Sequence, residues 1–231
     1  MPANEKKKKK IGLLGAAFDP PHFGHLLLAQ NALQTAGLDE IWLVPSPSRW
    51  DKSLIADGKR RLEWLQAAVQ LCPEVLRNKL RVSDFELQQP AYRGTCWLVT
   101  ELKRQNPDVT FSLVLGWDSF IGIPSWRDPT TGTMNGEQLL ASTHCFVSPR
   151  PNAQEFTIVP HPAPHEGGVT MLPALDDPKI GEVNWMRGVT QNQVAALSSS
   201  LIRTALKQKA DIVFVFPEIQ AEILKSGIYD R

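Results

Sequence analysis

A chain of 231 residues with 42% hydrophobic content can bury one substantial core, and its 25 basic and 24 acidic side chains leave a formal charge of only +1. That balance excludes the global field of a nucleic-acid binder, so any anion site must be local. Cys72, Cys96 and Cys145 are odd in number and widely spaced, which suits neither a disulfide framework nor a zinc cluster and points to a reducing cytoplasm.

The chain opens on a lysine run, Lys6 to Lys10, with no long hydrophobic region behind it, so residues 1–10 read as a disordered, solvated basic tail and residues 11–231 as one domain. No stretch approaches the ~20 apolar residues that span a bilayer, so neither a membrane nor a nucleic-acid partner is expected. Ile11 to Leu14 is a short apolar strand ended by Gly15, and a helical pattern runs from near Gly24 to Gly37. Ile41 to Val44 predicts a second strand bounded by Pro45 and Pro47. Lys59 to Cys72 then places Leu62, Leu65, Ala68, Val69 and Cys72 at helical spacing. Leu80 to Phe85 alternates as a strand, Thr95 to Gln105 predicts a helix stopped by Asn106-Pro107, and Phe111 to Leu115 is again an apolar strand.

Later come a strand at Cys145 to Ser148, a helix at Ser199 to Gln208, a strand at Ile212 to Phe216 and a helix at Pro217 to Ser226. Arg127 to Gly136 and Pro149 to Gly168, rich in Pro, Gly, Thr and Asn, read as surface loops suited to order over a substrate. Alternating strands and helices predict an α/β fold, a doubly wound parallel sheet in a single domain, with ligands bound beyond the carboxyl ends of the strands.

The loop after the first strand reads Gly15-Ala-Ala-Phe-Asp-Pro-Pro-His-Phe-Gly-His25. It places His22 and His25 at the opening of a helix, where free N–H groups and the positive end of the macrodipole attract anions. Imidazole N–H donors add to that field and suit a reaction at phosphorus, in which charge grows on phosphate oxygens. A single histidine there would read as a cap or a core residue. The HxGH spacing, the Phe-Asp-Pro turn and the strand-to-helix context together are far more specific.

This block resembles the signature of the HxGH nucleotidyltransferase superfamily, whose members carry out adenylyl or cytidylyl transfer on a Rossmann-like fold. Gly116-Trp-Asp118-Ser-Phe, Pro124-Ser-Trp126, Ser198-Ser-Ser-Leu-Ile-Arg203 and Gly227-Ile-Tyr229 extend the likeness. Over nearly its whole length the chain is similar to the bacterial nicotinate mononucleotide adenylyltransferase family.

The resemblance implies that ATP meets Gly15, Ala16, Ala17, Phe18, His22, His25, Gly116, Asp118, Ser198, Ser199 and Arg203. It implies catalytic roles for His22, His25, Arg203 and Lys52, and contacts to a pyridine mononucleotide from Arg49, Lys52, Thr95, Trp126 and Arg127. Asp118 would accept hydrogen bonds from ribose hydroxyls, and Trp126 would stack on the pyridine ring. The ordinary readings are an N-cap for the serines, a polar turn for Gly116 to Asp118 and core or half-buried positions for Trp42, Trp64 and Trp97. Magnesium is expected on the ATP phosphates, with no cage of protein carboxylates and no resident metal site. Family analogy also suggests a homo-oligomer.

Three segments depart from the family pattern: Gly15-Ala16-Ala17 replaces Gly-Gly-Thr, Arg93-Gly94-Thr95 replaces Ser-Tyr-Thr, and Pro47-Ser-Arg-Trp-Asp-Lys52 replaces Pro-Pro-His-Lys. Two alternatives therefore stay open: an adenylyltransferase of the same superfamily acting on nicotinamide mononucleotide or phosphopantetheine, and a nucleotide-binding regulator without turnover.

Overall fold

A computed structural model describes residues 7–48, 54–149, 167–177, 180, 184–186, 189–195, 197–208 and 214–230. Six strands form one sheet: β1 (Lys9–Ala16), β2 (Glu40–Pro45), β3 (Leu80–Val82), β4 (Val109–Gly116), β5 (His144–Ser148) and β6 (Gly168–Met171). Their order is β3-β2-β1-β4-β5-β6, and every pairing is parallel. The main helices are α1 (Phe23–Thr35), α2 (Gly58–Leu71), α3 (Glu74–Arg77), α4 (Thr95–Gln105), α5 (Trp117–Gly122), α6 (Gly136–Ser142), α7 (Gln191–Ala195), α8 (Ser199–Lys207) and α9 (Pro217–Ser226).

Period-two alternation explains why the sheet is covered on both faces. Leu14, Ile41, Leu43 and Val114 point to one face and pack with α1, α2, α8 and α9. Ile11, Leu13, Trp42, Val44, Phe111, Leu113 and Leu115 point to the other and pack with Leu98, Val99 and Leu102 of α4 and Leu139 of α6. The doubly wound, single-domain expectation is met.

Several boundaries moved. β1 starts at Lys9 because Lys9 and Lys10 pair with Val109 and Thr110, and the Lys10 amide donates to Asp39 Oδ2 at 2.8 Å. Residues 1–6 of the expected tail lie outside the described residues. The strand expected over Leu80 to Phe85 ends at Val82: Ser83 Oγ accepts from the Phe85 amide at 3.4 Å, and the Gln88 amide bonds Asp84 O at 3.0 Å. Local turn bonding competes there with the ladder. The strand expected over Ile212 to Phe216 is outside the described residues at its start, and Phe214 to Phe216 are turn and coil.

Arg127 to Gly136, expected to be irregular, contains an antiparallel bridge between Arg127 and Met134. Of Pro149 to Gly168, residues 150–166 lie outside the described residues, and Gly168 begins β6, a half-buried edge strand. Trp42 and Trp64 are buried and Trp97 is half-buried, as expected of core tryptophans.

Candidate active site

The order β3-β2-β1-β4-β5-β6 reverses between β1 and β4, and at such a switch point the two loops diverge and leave a crevice. A cavity of about 570 Å³ opens there. Gly15 to Phe18 from β1, His22, Gly24 and His25 at the start of α1, Gly116 and Asp118 after β4, and Ser198, Ser199 and Arg203 of α8 all line it. Eleven expected nucleotide contacts, separated by up to 188 positions in the chain, thus converge on one cleft.

The histidines are held by a reciprocal capping box. His22 Nδ1 accepts the Gly24 amide at 3.1 Å, and the His22 amide donates to His25 Nδ1 at 3.3 Å. A nitrogen that accepts a backbone N–H carries no proton, so each neutral ring bears its proton on Nε2. Two N–H donors are thereby fixed by backbone geometry. Phe18 braces them: it is fully buried, adopts a left-handed φ of 50°, and its ring centroid lies 4.6 Å from that of His25. The two imidazole centroids lie 3.8 Å apart, and His22 is held well below its ordinary pKa, first by burial and then by its electrostatic interaction with His25, which disfavours a second proton on the pair. His22 is therefore a neutral donor at physiological pH.

On the opposite wall, Ser198 is the N-cap of α8 and its Oγ accepts the Leu201 amide at 3.3 Å. Ser199 Oγ donates to Pro20 O at 3.2 Å. Arg203 Nη1 donates to Asp19 O at 2.7 Å and Nη2 to Ser200 Oγ at 3.2 Å. The capping role of Ser198 and its place on the cleft wall are both present. Asp118 sits exposed in the first turn of α5.

Three buried residues beneath this cleft received no role from the sequence. Asp19 Oδ1 accepts from the Tyr229 hydroxyl at 2.5 Å and the Ala56 amide at 3.1 Å, while Oδ2 accepts from the Ile55 amide at 2.8 Å. Arg61, on the buried face of α2, donates to Ala17 O, to Ala56 O at 3.0 Å and to Ser46 O at 2.8 Å. Burial lowers the Arg61 pKa, and Asp19 and Tyr229 oppose that shift. The sequence did hold a signal: Arg61, Trp64, Leu65 and Ala68 share helical spacing, so a cation lies on an apolar stripe.

Thr95, Trp126 and Arg127 form a second group that does not line this cleft. Gly94 brings it together, since its φ of 85° favours glycine and a Cβ there would stand 3.1 Å from Pro129 Cδ and 3.8 Å from Arg127 O. Thr95 then starts α4, and Trp126 is half-buried. Arg127 Nη1 bonds Gly132 O at 3.1 Å, within its own hairpin, and the Arg93 guanidinium lies 4.9 Å over the Trp97 ring. Arg49 and Lys52 lie outside the described residues.

Comparison with known proteins matches residues 13–205 to the cytidylyltransferase-like family model. The chain belongs to the cytidylyltransferase-like family. Within it, a probable nicotinate-nucleotide adenylyltransferase of Shouchella clausii is 40% identical over 96% of this chain and 97% of its own length. The probable nicotinate-nucleotide adenylyltransferase of Halalkalibacterium halodurans is 30% identical over 96% and 91%. The solved structure of Plasmodium falciparum nicotinic acid mononucleotide adenylyltransferase complexed with NaAD has a TM-score of 0.76 at 21% identity, covering 96% of this chain and 98% of that one. It shows the same cytidylyltransferase-like fold.

The altered first loop of this family member is anchored through its backbone. Ala16 O accepts the Ser46 amide at 2.9 Å and Ala17 O accepts from Arg61, so the loss of a glycine and a threonine hydroxyl leaves these ties intact.

Proposed function

We propose that this protein transfers the adenylyl group of MgATP to nicotinate mononucleotide, releasing pyrophosphate and forming deamido-NAD. The observation that carries the reading is the pair of Nε2–H donors set by the His22–His25 capping box at the β1/β4 switch point. A mononucleotide phosphate oxygen attacks the α-phosphorus in line, and no general base is needed because a phosphate monoester with a second pKa of about 6 is largely ionised at neutral pH. His22, His25 and Arg203 stabilise charge on the phosphates and on the departing pyrophosphate. Rigid placement replaces covalent catalysis.

Magnesium enters as part of the nucleotide substrate. On this reading the phosphates and water, rather than a cage of protein carboxylates, supply its ligands. Gly116 and Asp118 are assigned to the ribose, and Ser198 and Ser199 to the wall beside the phosphates. Thr95, Trp126 and Arg127 are assigned to the pyridine mononucleotide, whose phosphate falls to Arg49 and Lys52. The names of the full-length relatives support nicotinate as the ring.

The test is pyrophosphate release from MgATP with nicotinate mononucleotide and its amide analogue, in wild type and Thr95→Ala. The acid should be preferred by roughly 10²-fold in kcat/KM, the scale at which donors matched to a carboxylate reject an amide NH₂. Thr95→Ala should narrow the gap. Equal efficiencies would remove the nicotinate assignment and leave adenylyl transfer standing, while no pyrophosphate with any acceptor would remove both.

A further inference from the structure

Gly227-Ile-Tyr229 is a block of the family likeness that belongs to neither group of expected substrate contacts. Gly227 ends α9 in a left-handed conformation, with φ of 57°, and turns the chain back toward the sheet. Ile219 and Ile223 of α9 are buried against the core, and Trp64 of α2 donates Nε1–H to Glu222 Oε1 at 3.1 Å, which fixes α9 beside α2. Tyr229 is delivered to the underside of the first loop, where it is buried and its ring centroid lies 6.3 Å from that of Trp64.

We propose that Tyr229 is a positioning residue for the triphosphate site, acting on Arg203 and the first loop through the carboxylate of Asp19. Asp19 is fully buried and its charge is met by three donors: the Tyr229 hydroxyl, the Ile55 amide and the Ala56 amide. The same residue offers its backbone carbonyl to Arg203 Nη1 at 2.7 Å, while its Oδ2 stands 4.0 Å from that nitrogen. Arg203 thus has two anchoring choices on Asp19. The Tyr229 hydrogen bond helps decide between them. Without it, a buried carboxylate loses one donor and must recruit another, and Arg203, whose Nη1 already stands 4.0 Å from Asp19 Oδ2, is the cation of the cleft wall placed to supply it. Closing that gap would turn the guanidinium inward and draw Asp19, three residues before His22, out of place.

Arg61 holds the other side of the frame through Ala17, Ser46 and Ala56 carbonyls, so displacement is channelled toward α8 rather than spread through the loop. Burial and the bond to Asp19 push the Tyr229 phenol up from its ordinary pKa, which keeps it a donor at all physiological pH.

This inference rests on the adenylyl-transfer reading for its kinetics, but nucleotide affinity tests it separately. In Tyr229→Phe, the KM for MgATP should rise and the affinity for a non-hydrolysable ATP analogue should fall about tenfold, the scale of one hydrogen bond to a charged group. The KM for the mononucleotide should change less than about twofold, because the Thr95 and Trp126 group lies off this cleft. In an Arg203→Ala background the Tyr229→Phe effect on analogue binding should vanish. A merely structural Tyr229 would lower Tm and leave the KM for MgATP unchanged, or weaken both substrates alike, and either result overturns the proposal. So does a full effect of Tyr229→Phe without Arg203. Should Tyr229→Phe fail to fold, Asp19→Asn is read by the same substrate split and the same Arg203 dependence. If the wild type shows no turnover, the functional reading falls, and analogue binding still decides the latch.

Discussion

At the scale of single residues, His22 serves two masters. Its Nδ1 caps α1 and its Nε2–H faces away from the helix backbone, so truncation confuses a folding role with a chemical one. Asparagine separates them, because its side-chain oxygen caps a helix well but cannot reach where Nε2 stands. We expect His22→Ala and His25→Ala to lose at least ~10²-fold in turnover, the scale of a preorganised charge stabiliser. His22→Asn should lose as much turnover while melting within a few degrees of wild type. Near-native turnover in His22→Asn at saturating MgATP would show that the cap, and not the donor, matters.

The same residue makes stability depend on pH. Folding lowers the His22 pKa from its ordinary value of 6.5, so the unfolded chain binds the proton first as pH falls. Its contribution is fully present above 6.5 and is lost as pH drops from there toward the folded pKa. Thermal melts from about pH 7 to about pH 5.5 should therefore decline more steeply for wild type than for His22→Asn. Parallel slopes would show that His22 titrates normally.

At the scale of elements, the long periodic segments were legible: α4 and α9 begin and end where their apolar spacing and stop signals predict, and β2 and β4 differ only by flanking residues that the ladder recruits. The failures are short. α3, α5, α6, α7 and β6 have four to seven residues, too few for a period to show, and they exist because neighbouring chain supplies their packing. α8 lies between these cases, with Ser198 both capping it and lining the cleft. Ser198→Ala should cost about 1 kcal/mol of stability through the cap. Ser198→Asp should restore the cap, yet place a carboxylate beside the phosphates and raise the KM for MgATP several-fold. If Ser198→Asp keeps a wild-type KM, Ser198 is only a cap.

At the scale of the whole molecule, the two groups of expected contacts occupy different places, one at the β1/β4 switch point and one gathered around Gly94. Substitutions should accordingly sort by substrate. Trp126→Ala should weaken the mononucleotide by the ~0.5–1.5 kcal/mol of an aromatic stacking pair plus lost burial, and leave ATP nearly untouched. Equal weakening of both would make Trp126 a structural support of the loop.

By itself the sequence determined the α/β class and the strand-to-helix placement of His22 and His25, because periodicity and a dense local motif are properties of neighbouring residues, while the reaction class and the expected cleft residues came from its resemblance to a family. Only the tertiary structure decided which buried residues support the site from beneath. Asp19 and Tyr229 are 210 positions apart and meet at 2.5 Å, and Arg61 reaches carbonyls on three separate segments. Such contacts carry no period and no spacing rule. They follow from where α2 and α9 pack on the sheet, and from the cost of leaving a buried charge without partners once they have packed there.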